Sequence, residues 1–113
     1  MAKTNKIKIL IIEDEKTLLS VLADKFRREG FFVYEACDGQ KGLDSALANT
    51  PHLIILDLVM PGMDGLTMLK KLREDKRGNS VPVLILSNLS GEDQIKEANG
   101  RGVILMFPSM LPI

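Results

Sequence analysis

A single cysteine, Cys37, stands in this chain of 113 residues, so no disulfide can close within it. A lone thiol suits a reducing compartment, and the cytoplasm is the expected location. Charge of one sign is also lacking, since 15 basic residues offset 15 acidic ones. No net field therefore draws the chain to nucleic acid or to an anionic membrane, and neither is expected as a partner of this chain alone. Long apolar runs are missing as well. None approaches the roughly 20 residues that span a bilayer. The opening MAKTNKIKILIIEDE has too short an apolar stretch before Glu13 for a signal peptide. Repeats and low-complexity segments are absent, and the length is about one domain's worth. One domain over 1–113 is expected, with no separate effector module.

What is present alternates between two patterns. KIKILII (6–12) is a β-branched run that stops abruptly at acidic residues, as a strand covered on both faces does. From Lys16 to Glu29, Leu18, Leu22 and Phe26 recur at four-residue spacing beside Leu19 and Ala23, with Gly30 as a stop, which predicts an amphipathic helix. FFVYEAC (31–37) predicts a second strand, and GQKGLDSALAN (39–49) a short helix. HLIILDLV (52–59) predicts a third strand, followed by the turn MPGMDG and a helix from about Leu66 to Glu74 with Leu66, Leu69 and Leu72 inward. VPVLILS (81–87) predicts a fourth strand, GEDQIKEAN (91–99) a weaker helix, and a fifth strand falls within VILMF. Strands alternating with helices imply right-handed crossovers and a parallel sheet, an α/β fold.

Such sheets carry their chemistry at the carboxyl ends of the strands. Glu13 and Asp14 follow strand one, Asp57 interrupts the apolar run of strand three, and Ser87 and Asn88 end strand four. Asp14 alone would pass as a helix cap. Asp57 resists that explanation, because it is flanked by Leu56 and Leu58, where an unpaired carboxylate is costly to bury. Three carboxylates in one cup would raise one another's pKa unless a divalent cation compensates them. Magnesium, with oxygen ligands and retained waters, is the natural ion. A carboxylate beside it can act as a nucleophile towards phosphorus.

The set ILIIEDE, LIILDLVMPGMDG and VPVLILSN, in this order and spacing, resembles the receiver domain of bacterial two-component response regulators over residues 6–102. The resemblance implies a flavodoxin-like, doubly wound, five-stranded parallel sheet in the order 2-1-3-4-5. It implies that Asp57 is the phosphoacceptor, taking a phosphoryl group from the histidine of a sensor kinase or phosphotransfer protein. Glu13 and Asp14 correspond to the acidic pair that holds Mg²⁺, Asp14 as the direct ligand, with the backbone carbonyl of Val59 as a further one. Ser87 corresponds to the hydroxyl that turns towards the new phosphate. Asn88 departs from the small residue usual at its position. Pro61, Gly62 and Gly65 suit a loop whose dihedrals a β-carbon would forbid. His52, which begins a strand after Pro51, is expected to be structural, and Cys37 a small buried hydrophobe.

The end of the chain departs from the family. VILMFPSMLPI (103–113) has no charge, and no lysine follows Lys96. Aligned on Pro108, Phe107 stands where the family places a lysine and Ile104 where it places an aromatic. Five residues follow Pro108, too few for the usual fifth helix. The face that such a helix covers is worth on the order of 10 kcal/mol, against a total stability of about 5–15 kcal/mol. A homodimer through the exposed face and tail is therefore expected. Shifted by one nucleotide, with permissible codons, the segment from 103 can instead spell Asp-Thr-Tyr-Val-Pro-Lys, which restores the aromatic and the lysine.

Three functions fit this pattern. One is a Mg²⁺-dependent phosphoacceptor switch whose readout is impaired. Another is a pseudo-receiver that binds partners without phosphorylation. The third, a phosphohydrolase of the haloacid-dehalogenase type, needs an aspartate two residues after the nucleophile, where Val59 stands. As a receiver the chain is not an enzyme beyond its own phosphorylation and dephosphorylation.

Overall fold

The computed structural model describes residues 6–58, 60–86 and, for the backbone alone, 103–106. Among them are five strands, β1 (Lys8–Ile12), β2 (Phe32–Ala36), β3 (Leu53–Leu56), β4 (Val83–Leu86) and β5 (Val103–Met106). Three helices lie between them in sequence, α1 (Lys16–Arg28), α2 (Gly39–Asn49) and α3 (Gly65–Glu74). The strands pair in parallel throughout and form one sheet in the order β2-β1-β3-β4-β5. This is the expected doubly wound α/β arrangement.

Alternation of side chains along each strand divides the core in two. Leu10, Ile12, Ile54, Leu56, Val83 and Ile85 pack with residues of α2 and α3, while Ile9, Ile11, Val33, Ile55 and Leu86 pack with Leu19, Leu22 and Ala23 of α1. Both faces of the central strands are buried, and for that reason their sequences read as continuous apolar runs. On the α1 side, Leu53 and Leu84 are half-buried.

Helix ends follow local chemistry. The Asp38 side chain accepts from the Lys41 amide at 2.7 Å and so caps α2, and Asp64 accepts from the Thr67 amide at 2.8 Å and caps α3. Each such cap contributes about 1 kcal/mol. Past the end of α1, Gly30 turns the chain with φ 97°, a conformation that L side chains rarely adopt. The N-cap of α1 is Glu15, without a side-chain cap bond, so the capping alternative for Asp14 does not hold.

The third strand is shorter than its apolar run. It ends at Leu56, and Asp57 lies just past its end rather than inside it. Leu58 and Met60 are buried all the same, because the loop itself dips into the α2 and α3 side of the core. The helix expected over 91–99, the residues Ser87, Asn88 and Val59, and the segment 107–113, where no fifth helix is expected, lie outside the described residues.

Candidate functional site

Register places the acidic residues. Ile12 pairs with Ala36 on one side and with Leu56 on the other, so β1, β2 and β3 end level with one another. One step further, the Glu13 amide donates to Ala36 O at 3.0 Å and the Asp57 amide donates to Ile12 O at 3.1 Å. The ladder thus holds the backbones of both acids after the strands have ended. Glu13, Asp14 and Asp57 each offer a carboxylate oxygen, and these oxygens lie within 4.8 Å of one another. The three acids singled out in the sequence are brought together.

Their environments differ. Glu13 is buried, at 5% exposure, whereas Asp14 and Asp57 are half-buried. Burial pushes the Glu13 carboxyl up to about 7, and the charge of Asp57 and hydrogen bonds to Asp14 and Asp57 push the same way. The amide of Glu15, which donates to Glu13 Oε2 at 3.0 Å, opposes them. Glu13 therefore both ties down the start of α1 and faces the other two acids. One of its oxygens is engaged by backbone, and Asp14 and Asp57 are the more exposed of the three acids.

The donor set suits a hard divalent cation. It consists of oxygens alone and concentrates negative charge at a partly buried place, with Asp14 and Asp57 still partly exposed to solvent. A dication there would offset the burial and the neighbouring Asp57 charge that together favour a proton on Glu13.

The loop after Asp57 is built for close approach. Gly62 has φ 73°, as the sequence suggested. Gly65 has no such conformation; what it supplies is space. A β-carbon on Gly65 would stand 2.6 Å from both Asp57 O and Leu58 Cα, and the Gly65 amide donates to Leu58 O at 3.1 Å. The glycine expected to relax a dihedral instead lets α3 start against the backbone of the phosphoacceptor candidate.

A family model described as the response regulator receiver domain matches residues 9–106. The chain belongs to the response regulator receiver family. Among its relatives is the sporulation initiation phosphotransferase F of Bacillus subtilis, 31% identical over 100 residues that cover 88% of this chain and 79% of that protein. The DNA-binding dual master transcriptional regulator RpaA of Synechocystis is 39% identical over 82 residues, 73% of this chain but 34% of that longer protein. The solved chemotaxis protein CheY4 of Vibrio cholerae superposes with a TM-score of 0.88 at 23% identity, covering 96% of this chain and 91% of its own, which speaks for the fold. The receiver is thus a signalling domain of two-component systems, whose members work with histidine kinases or phosphotransfer proteins.

Two other residues can now be placed in the receiver. His52 is structural, as expected: its Nδ1 accepts from the Lys8 amide at 2.9 Å. Cys37 is half-buried rather than fully buried, with the Lys41 ammonium 3.8 Å from its Sγ. No described helix is long and apolar enough to cross a membrane.

Proposed function

We propose that this receiver accepts a phosphoryl group on Asp57 from a phosphohistidine of a sensor kinase or phosphotransfer protein, in a reaction that needs Mg²⁺. The observation that carries the proposal is the convergence of Glu13, Asp14 and Asp57 within 4.8 Å at the carboxyl end of the sheet. An oxygen of the Asp57 carboxylate attacks phosphorus. The bond from phosphorus to the donor imidazole breaks, its electron pair stays on nitrogen, and that nitrogen takes up a proton. Mg²⁺, when bound, supplies the positive charge that offsets the carboxylates and the phosphoryl oxygens. Asp14 and the backbone carbonyl of Val59 would hold it together with Asp57. Glu13 shapes the cup from its buried position and keeps α1 anchored through Glu15. Ser87 reports the new phosphate through its hydroxyl. We assign all of 1–113 to one such domain, working in the cytoplasm.

Incubation with Mg²⁺ and acetyl phosphate tests this. The expected product is an acid-stable, base-labile phosphoryl adduct that needs Mg²⁺ and is absent from Asp57→Asn. Failure of the unmodified chain to form it would leave the pseudo-receiver.

One sequence feature favours that second reading for the output, though not for the chemistry. No lysine follows Lys96 in this sequence, and Phe107 stands at the position where the resemblance places the lysine whose charge would lie on the phosphoryl oxygens. We infer a weakened readout. A beryllofluoride titration should bind at Asp57 yet shift the conformation little, and Phe107→Lys should enlarge the shift. Self-association through the α1 side of the sheet and the apolar segment 103–113 is a further proposal, and a monomer in sedimentation at micromolar concentration would overturn it.

A further inference from the structure

The first turn of α2 carries two buried glycines, Gly39 and Gly42, and they face different neighbours. A β-carbon on Gly42 would meet the side chain of Ile12, 2.5 Å from its Cδ1, 2.8 Å from its Cγ1 and 3.0 Å from its Cγ2. The whole Ile12 side chain must then shift, but no backbone atom stands in the way. A β-carbon on Gly39 would collide with the carbonyl oxygen of Met63 and stand 3.1 Å from both Met63 Cβ and Cγ. No rotamer change relieves a clash with a backbone oxygen.

Met63 belongs to the loop that runs from Asp57 to α3. That loop is held at its other points by Met60, which is buried in the core, and by the Gly65 amide on Leu58 O. The contact on Gly39 is its anchor on the α2 side. α2 is itself fixed to the sheet by Gly42 against Ile12, the residue before Glu13. One helical turn therefore touches the strand end that bears Glu13 and the loop that begins at Asp57.

We propose that Gly39 is a positioning residue for the acidic site: its missing β-carbon lets the Met63 carbonyl seat on α2, and this seating fixes the loop that carries Asp57. The contact stands on geometry alone, and its consequence for Mg²⁺ rests on the function proposed above. Gly42 supplies the comparison, since it packs in the same turn but touches only a side chain.

The test compares the unmodified chain with Gly39→Ala, Gly42→Ala and Met63→Gly. Hydrogen exchange of the Gly65 amide without Mg²⁺ reports the loop, and calorimetric titration with Mg²⁺ reports the site. Gly39→Ala is expected to speed Gly65 exchange relative to the β1 amides and to weaken Mg²⁺ binding by about tenfold. Gly42→Ala is expected to lower the unfolding midpoint while changing Gly65 exchange and Mg²⁺ affinity less than Gly39→Ala does. Should Gly39→Ala not fold, Met63→Gly withdraws the anchor from the loop side without crowding α2, and the same two changes are expected. Native Gly65 exchange and native Mg²⁺ affinity in Gly39→Ala, or in its substitute Met63→Gly, would overturn the proposal. An unmodified chain that binds no Mg²⁺ would overturn the proposed function instead, and Gly65 exchange would then decide the role of Gly39 by itself.

Discussion

The amide of Asp57 donates to the carbonyl oxygen of Ile12 across 3.1 Å, one step past the last paired residues of β1 and β3. Backbone pairing therefore carries Asp57 to the level of Glu13, the residue after Ile12. Two carboxyl groups are held face to face by the sheet itself, and their repulsion is built into the fold.

Burial of Glu13, reinforced by the charge of Asp57, makes stability depend on pH. The Glu13 carboxyl sits at about 7 in the folded chain against an ordinary 4.5, so the folded state holds a proton that the unfolded state has lost. Stability without a divalent cation is fully present below about 4.5 and falls as pH rises through about 7. The loss is on the order of 1–2 kcal/mol once the open rim of the cup is allowed for. Denaturant melts between pH 4.5 and 8 in EDTA should show the decline, and Glu13→Gln should flatten it. A flat profile in the unmodified chain would contradict the assignment.

Mg²⁺ should offset the same repulsion. At a hundredfold excess over its dissociation constant, a ligand of the folded state alone adds about 2.7 kcal/mol. Thermal melts at pH 7.5 should therefore rise by several degrees on adding Mg²⁺, and the rise should vanish in Asp14→Asn. An equal rise in that variant would place the ion elsewhere.

The wall beneath the site is apolar. Leu56, fully buried in the core shared with α2 and α3, immediately precedes Asp57. Leu56→Ala should cost about 2–5 kcal/mol, read as a lower urea midpoint with unchanged slope. A cost under about 1 kcal/mol would mean that the cavity collapses.

Much of this was legible in the sequence, for identifiable reasons. β-Branched runs between acidic and glycine-rich breaks located the strands, and α2 has the bounds that its pattern sets, because Asp38 caps its start and Thr50 leaves the helix at φ 43°. The acidic cup was legible because Asp57 breaks an apolar run. Strand three was read too long, since Leu58 and Met60 are apolar for a different purpose: they plug a loop into the core. The sequence does not single out Gly39, and it suggests a dihedral role for Gly65, because a glycine chosen for space looks the same in sequence as one chosen for φ. In the sequence Glu13 shows only as half of an acidic pair. Its burial and its bond to the Glu15 amide depend on how α1 leaves β1, which one sequence does not display.

The central claim is that Asp57 becomes an aspartyl phosphate, and reductive trapping addresses it most directly. Borohydride reduces an acyl phosphate to the alcohol, so treatment after incubation with Mg²⁺ and acetyl phosphate should convert the side chain at position 57 to that of homoserine. Peptide mass spectrometry should find the change at that position, dependent on Mg²⁺ and absent from Asp57→Asn. No reduction product, or one that maps to another carboxylate, would contradict the account.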